Sequence, residues 1–310
     1  MEYRVLGQTG LRVSALGLGA AGIGQLYQDL TDEEGVQVVA RALDLGITYI
    51  DTAPMYGQGT SERRVGLGLR GHPRAGDCVV ATKVGFYPEG FDYSDAMTRR
   101  SVEDSLSRLG LASLPLVQIH EIEPHTWSAV FAPRGALAEL RRLQAEGLVG
   151  HVGVTGSHLG ALLRAVETGE FATALLWRHY QLLDTSGAEV LAAVAARGMG
   201  GIVGTPFASG LLASGDVPGA HYFYSPAGPE ERARTRALQE ACARQGLPLA
   251  AEALRCCLQP AGVATVIAGA DSPAHVERNV QTFSTAVAPP APYLPDSHVE
   301  RDDRAPRVDE

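Results

Sequence analysis

Four side chains able to exchange protons stand at matching points of this chain: Asp51, Tyr56, Lys83 and His120. Asp51 closes the apolar run Ile47-Thr48-Tyr49-Ile50, Lys83 closes Cys78-Val79-Val80-Ala81-Thr82, and His120 closes Leu116-Val117-Gln118-Ile119. Tyr56 follows Asp51 across a Thr52-Ala53-Pro54 turn, with Gly57 directly behind it. Such a set is suited to proton transfer. A free tyrosine ionises at ~10, too high for an efficient base near neutrality. A lysine ammonium beside the phenol favours the phenolate, and a carboxylate beside the lysine keeps it charged in a dry site. A nearby histidine can donate to a substrate oxygen or act as a second proton partner. Taken singly, each residue has a plainer role, as loop cap, strand-end cation, core histidine or packed aromatic. Their coincidence at one rim is what argues for a relay.

They can cooperate only if three consecutive strands deliver them to that rim, and the rhythm of the chain supplies such a frame. Residues 3–16 (YRVLGQTGLRVSAL) alternate around Gln8-Thr9-Gly10, which predicts a β-hairpin. Strand-like and helix-like stretches then alternate. Strands are expected at 16–19, 48–50, 78–82, 116–119, 149–154, 173–177, 201–204 and 263–268. Thr31-Asp32-Glu33-Glu34 is an N-terminal capping signal, and Gly46 ends the helix it opens. Another helix opens at Ser61-Glu62, and others are expected at 98–109, 137–145, 159–166, 188–196, 231–244, 249–258 and 275–283.

Eight strand–helix units predict a parallel sheet closed into a (β/α)8 TIM barrel, with the N-terminal β-hairpin at its base, as a single domain over residues 1–284. The alternative, a Rossmann sheet, wants G-x-G-x-x-G on the turn after the first strand; Gly17, Gly19 and Gly22 have that spacing, but the run begins inside the expected strand 16–19 rather than after it. Residues 285–310, rich in proline and charge, read as a mostly mobile tail with Tyr293 and Leu294 as docking candidates. In such barrels active sites lie at the C-terminal strand ends. Neighbouring strands are ~4.8 Å apart, so Asp51, Lys83 and His120 fall within reach of one another and Tyr56 leans over them.

The totals agree with one large α/β unit. The 310 residues are 45% hydrophobic and 20% charged, enough for a sizeable core. A formal charge of −9 argues against nucleic acid or an anionic membrane as the main partner. Cys78, Cys242, Cys256 and Cys257 form no C-x-x-C pair and read as buried thiols of a reducing compartment. The N-terminus lacks a signal-peptide layout, and no apolar run reaches the ~18 residues of a membrane span. A cytoplasmic location is therefore expected.

The chain resembles the aldo-keto reductase superfamily, and within it the aldose dehydrogenases of L-galactose, L-fucose and D-arabinose type. The matching pieces are YRVLGQTGLRVSALGLG, DTAPMYG with SERRVG, ATKVG, LVQIH, EGLVGHVGVTG, ASGLL and VIAGADSPAHVERN, in family order across residues 3–283. The resemblance implies that Asp51, Tyr56, Lys83 and His120 are a catalytic tetrad, with Tyr56 the general acid or base. It also implies an NAD or NADP cofactor lying across the barrel mouth and a small carbonyl or sugar substrate. Gly19 at the first strand end would belong to the cofactor site. The family's Ser-Asn pair and Gln for the carboxamide correspond here to Thr155, Gly156 and Trp177. The usual stacking aromatic corresponds to Gly204. Thr205, Pro206, Phe207, Ser209, Gly210 and Leu211 resemble the loop over the pyrophosphate.

Gly269 and Asp271 precede the last helix, whose N-terminal amides suit a phosphate. His275, Arg278 and Asn279 match adenosine-side positions, Asn279 being the adenine-contacting asparagine. Gly269 and His275 replace a Lys and an Arg common in NADP-specific relatives, and Asp271 adds negative charge, which favours NAD. Arg278, where relatives often carry Glu, would instead help a 2′-phosphate.

Two other readings stand beside this one. His120-Glu121-Ile122-Glu123-Pro124-His125 carries metal-ligand types and suggests a barrel hydrolase, although no second histidine cluster meets it. Alternatively, the altered Gly156, Trp177 and Gly204 suit a cofactor-bound regulatory or partner protein with weak turnover. Tyr27, Phe86, Tyr87, Trp127 and residues 218–226 are candidates to shape a substrate pocket. No metal site is expected.

Overall fold

Alternation of side chains along each strand decides which residues face the barrel axis and which face the helices. The computed structural model describes residues 1–25, 29–223 and 225–287. Its central strands are β1 (Leu16–Gly19), β2 (Tyr49–Asp51), β3 (Val79–Val84), β4 (Leu114–Ile119), β5 (Val149–Gly156), β6 (Thr173–Trp177), β7 (Gly200–Gly204) and β8 (Val263–Gly269). Each pairs in parallel with its sequence neighbours, and β8 returns to β1 with Val266 opposite Leu16, closing the barrel.

Two apolar layers result. Tyr49, Val79, Ala81, Leu116, Leu175, Ile202 and Ala264 fill the axis together with Leu6 and Val13. The last two come from the N-terminal hairpin, in which Tyr3–Val5 pairs antiparallel with Arg12–Ser14, so the hairpin stoppers the barrel base as expected. The opposite strand faces, such as Ile50, Val80, Val117 and Val152, pack against the helices through Val39, Val65, Val102, Leu140 and Leu162. Burying one such side chain contributes roughly 1.5–3 kcal/mol.

The longer helices are α1 (Asp32–Asp44), α2 (Thr60–Leu69), α3 (Asp95–Leu109), α4 (Ala136–Ala145), α5 (Leu159–Glu167), α6 (Ala188–Ala196), α7 (Pro229–Arg244), α8 (Leu249–Leu258) and α9 (Pro273–Ala286). Thr31 caps α1 in the expected box with Glu34. Helix α3 starts earlier than expected because Ser94 accepts from the Met97 N–H, and α9 because Ser272 accepts from His275. Helices α7 and α8 share a separate cluster with the loop after β7, through Ala208, Leu211, Phe223, Cys242 and Leu249.

Several strands run further than their apolar patterns suggested. Asp51 is the last residue of β2, and Lys83 lies inside β3, opposite Gln118. Strand β5 continues through Thr155 and Gly156, which pair with Leu175 and Leu176. Helix α9 carries regular structure to Ala286, past the expected boundary at residue 284. Tyr293 and Leu294, and the rest of 288–310, lie outside the described residues, as do Tyr27 and Tyr224. The four cysteines are free thiols, and burial pushes Cys256 up to about 11. Among the described residues no helix is long and apolar enough to cross a membrane.

Candidate active site

The inner-face residues of β2, β3 and β4 stack in layers. Below lie Tyr49, Val79, Ala81 and Leu116, and above them Asp51, Lys83, Gln118 and, just past β4, His120. The upper layer is polar although it is nearly dry: Asp51 is 1% exposed and Lys83 2%. Lys83 Nζ donates to Asp51 Oδ1 at 2.5 Å, to the Thr52 carbonyl at 2.9 Å and to Tyr56 Oη at 3.1 Å. All three ammonium protons are thus directed, one of them to the phenol. Burial alone would push Lys83 toward the neutral amine, but the Asp51 carboxylate and Tyr56 outweigh it, and its pKa is raised. The second oxygen of Asp51 accepts from Gln118 Nε2 at 2.9 Å.

Tyr56 is placed by loops rather than by a strand. Ser61 Oγ donates to the Ala20 carbonyl and shares a 2.8 Å hydrogen bond with Thr52 Oγ1, tying the loops after β1 and β2 together. Gly24 lies so near that an added Cβ would stand 2.8 Å from the Tyr56 carbonyl oxygen. Gly57, at φ 62°, would bring a Cβ to 2.2 Å from the Gly24 carbonyl oxygen. The glycine behind the tyrosine is therefore required both by its left-handed backbone and by close approach.

The His120 ring stands edge-on to Tyr56, centroids 6.0 Å apart, and 5.5 Å from the Phe86 ring. Burial, and then the Lys83 charge, push its pKa well below the ordinary histidine range, so the imidazole is neutral. Its Nδ1 is buried with no hydrogen-bond partner among the described residues. A neutral imidazole offers one donor and one acceptor to a reacting oxygen.

Glu121 follows, and sequence reasoning weighed it only as a metal ligand. Its backbone is left-handed, φ 55°, an uncommon state for a residue with a side chain. Tyr93 Oη holds this turn by donating to the carbonyls of His120 and Glu121, at 2.5 and 2.9 Å. The Glu121 N–H donates to Thr155 Oγ1 at 3.1 Å, and its carboxylate accepts from Trp177 Nε1 at 2.6 Å. Burial pushes this carboxyl up to about 7; the Trp177 N–H opposes the shift, Glu123 adds to it and Lys83 opposes it. Among the described residues, no group of three His, Cys, Asp or Glu could hold a metal ion.

The remaining expected residues form an arc at the ends of β5 to β8 and β1. Thr155, Gly156 and Trp177 are adjacent by register, and Trp177 pairs with Gly204, whose added Cβ would stand 3.0 Å from the Trp177 Cβ. Thr205, Ala208 and Ser209 all have positive φ, so the loop through Pro206, Phe207, Gly210 and Leu211 is locally strained, as ligand clamps often are. Gly19 and Gly269 pair at the rim between β1 and β8. Asn279 donates to the Gly269 carbonyl at 3.1 Å. Asp271 Oδ1 and His275 Nδ1, read as separate contacts from sequence, meet one turn apart at the start of α9. Arg278 is exposed on that helix.

Of the aromatic pocket candidates, Phe86 reaches the mouth, and residues 218–226 bring Phe223 to 6.5 Å from Trp177. Tyr87 and Trp127 are engaged by their neighbours. Tyr87 is buried and its oxygen accepts from the Gly85 N–H, while Trp127 stacks between Phe131 and the Arg164 guanidinium.

An acid–base cluster thus adjoins a strained, glycine-containing arc at one end of the barrel. A model of the Aldo/keto reductase family matches residues 15–290. The L-galactose dehydrogenase of Arabidopsis thaliana is 34% identical, over 90% of this chain and 87% of its own. The D-threo-aldose 1-dehydrogenase of Pseudomonas sp is 33% identical over 88% and 90%, and the pyridoxal 4-dehydrogenase of Microbacterium luteolum is 32% identical over 92% and 94%. The solved aldo-keto reductase AKR11C1 of Bacillus halodurans, in its holo form, superposes with a TM-score of 0.79 at 29% identity, covering 94% of this chain and 93% of that one.

Proposed function

Because this chain belongs to the aldo/keto reductase family and is an oxidoreductase, we propose that it transfers hydride between a nicotinamide dinucleotide and an aldose or aldehyde, with Tyr56 handling the proton. The observation that carries the reading is the line Asp51–Lys83–Tyr56, a buried carboxylate–ammonium pair directed at a phenol through 2.5 and 3.1 Å hydrogen bonds. The cofactor would supply or accept the hydride at its nicotinamide ring.

Every proton step falls to the chain. In reduction, Tyr56 gives its proton to the carbonyl oxygen as that oxygen becomes negative, and the Lys83 ammonium stabilises the phenolate left behind. In oxidation the phenolate takes the hydroxyl proton. Asp51 keeps Lys83 charged in a dry site. His120, neutral by its burial, donates a hydrogen bond to the reacting oxygen without adding a competing proton. Thr155, Gly156, Trp177, Gly204 and Gly19 would border the ring, and Thr205–Leu211, Gly269, Asn279 and the start of α9 the phosphates and adenosine.

Asp271 favours NAD over NADP. A carboxylate at the helix N-terminus repels a 2′-phosphate and accepts from a ribose hydroxyl. His275, one turn on, touches this carboxylate and fixes its position at the start of α9. The substrate class follows the relatives' names, which point to aldoses and to pyridoxal. The test is a panel of aldoses, simple aldehydes and pyridoxal with its alcohol, with each cofactor, followed by nicotinamide absorbance. Turnover of at least one class, faster with NAD, is expected. No absorbance change with any of them overturns the reading, and faster turnover with NADP overturns the cofactor choice.

A further inference from the structure

Glu121 is a carboxylate with a cluster of neutral partners and a deliberate backbone, and the proton relay does not use it. Its carboxylate takes the Trp177 indole N–H at 2.6 Å, and Ser157 Oγ stands at 3.5 Å. Among the described residues it forms no ion pair, although Lys83 is close enough to lower its pKa. Its left-handed φ of 55° is secured by Tyr93 and Thr155. Strain of this kind persists when the surroundings over-determine it, and it clusters at ligand clamps. Here it turns an acid at the end of β4 across the mouth toward the ends of β5 and β6.

What belongs beside that acid follows from the layout. The hydride carbon must lie near Tyr56 and His120, at the ends of β2 and β4. The phosphates belong to the strained loop after β7 and the start of α9. A ring joining these two regions passes over the ends of β5 and β6, where Thr155, Trp177 and Glu121 meet. The head of a nicotinamide offers an amide N–H pair, a carbonyl oxygen and, when oxidised, a positively charged ring. Thr155 Oγ1 already accepts from the Glu121 N–H, so its own proton is directed elsewhere and suits the carbonyl. Glu121 is the matching acceptor for the amide N–H and the only carboxylate among these three residues. Gly156 adds no polar group, and the Trp177 indole is a donor alone.

We propose that Glu121 is the specificity residue for the cofactor head: it accepts the carboxamide N–H, and its charge favours the oxidised ring. This rests on the nicotinamide-dependent function above. Oxidation of substrate is then the direction in which the free enzyme is better loaded.

The experiment measures equilibrium dissociation constants by quenching of tryptophan fluorescence, without turnover, at about pH 8.5, above the value of about 7 to which burial pushes Glu121. The probes are NAD+, NADH and the 3-acetylpyridine analogue of NAD+, which carries a methyl in place of the amide nitrogen. Wild type is expected to bind NAD+ about tenfold or more tighter than the analogue, the scale of a hydrogen bond to a charged acceptor. Glu121→Leu should bind the two alike. Glu121→Gln, nearly isosteric and kept as the variant least disturbing to the fold, should retain the discrimination but lose several-fold of the preference for NAD+ over NADH. An undiminished discrimination in Glu121→Leu, or none in wild type, overturns the assignment. An unchanged NAD+ to NADH ratio in Glu121→Gln overturns its charge component. If wild type binds no dinucleotide at all, the function reading itself falls, an outcome distinct from the others.

Discussion

Replacing Asp51 by Asn should invert the pH dependence of stability contributed by Lys83. The substitution keeps the shape of the side chain and removes its charge. Gln118 can accommodate it by reversing its amide, because its Oε1 is buried without a partner among the described residues. Lys83 cannot be accommodated so simply: it is 2% exposed, and the acceptors left to it, the amide oxygen of the substituted side chain, the Thr52 carbonyl and the Tyr56 hydroxyl, carry no charge. In the native protein its pKa is raised above the unfolded value. Its stabilising contribution is therefore fully present below ~10.4 and is lost only as pH climbs through the folded pKa. Without Asp51, burial dominates and the folded pKa falls below the unfolded one. The unfolded chain then binds more protons between the two values, and stability rises with pH across that window.

The size of the effect can be bounded twice. A buried lysine drops by up to 3–5 pKa units, and 3 units at about 1.36 kcal/mol each give about 4 kcal/mol. Removing one member of a buried ion pair costs about 3–5 kcal/mol. At roughly 2–4 °C per kcal/mol, the melting temperature should drop on the order of 10 °C at pH 7 and recover much of that loss by pH 10. Thermal unfolding followed by circular dichroism at several pH values is the assay. An Asp51→Asn protein as stable as wild type at pH 7, or one that loses stability as pH rises, would refute the reasoning.

Gln118→Leu removes the hydrogen bond that fixes Asp51 Oδ2. Its expected effect is a fall in kcat of about tenfold and a displaced pH–rate profile, with KM for the cofactor little changed; an unshifted profile would make Gln118 merely structural. Gly24→Ala presses on the Tyr56 carbonyl and should lower kcat by about tenfold through misplacement of the phenol. Equal kcat would show that the loop after β1 yields instead. Glu121, at about 7 in the folded protein against ~4.3 unfolded, makes stability fall as pH rises between those values. Glu121→Gln should flatten the melting temperature across pH 4 to 7, and an unchanged slope would remove that burden from Glu121.

The clustering of Asp51, Tyr56, Lys83 and His120 was legible because its parts obey local rules. Asp51, Lys83 and His120 each continue the inner face of an apolar strand, and period-2 alternation with a closed barrel then fixes them at one rim. Gln118 was visible as a polar residue in an apolar strand, but its partner Asp51 lies 67 residues away, and no strand pattern encodes that distance. The Glu121–Trp177 bond spans 56 residues and depends on a left-handed backbone. A glycine would have signalled that turn; a glutamate conceals it. For Tyr87 and Trp127 the sequence left pocket lining and loop packing equally open, because both use aromatic residues; their hydroxyl and ring contacts form only in the folded chain.

The proton relay is tested most directly by Tyr56→Phe, assayed on the best substrate of the panel in single turnover alongside dinucleotide binding. The variant should bind cofactor as wild type does, yet transfer hydride about 10²–10⁴-fold more slowly, because only the hydroxyl that receives the Lys83 hydrogen bond is gone. Undiminished hydride transfer in Tyr56→Phe would contradict the relay.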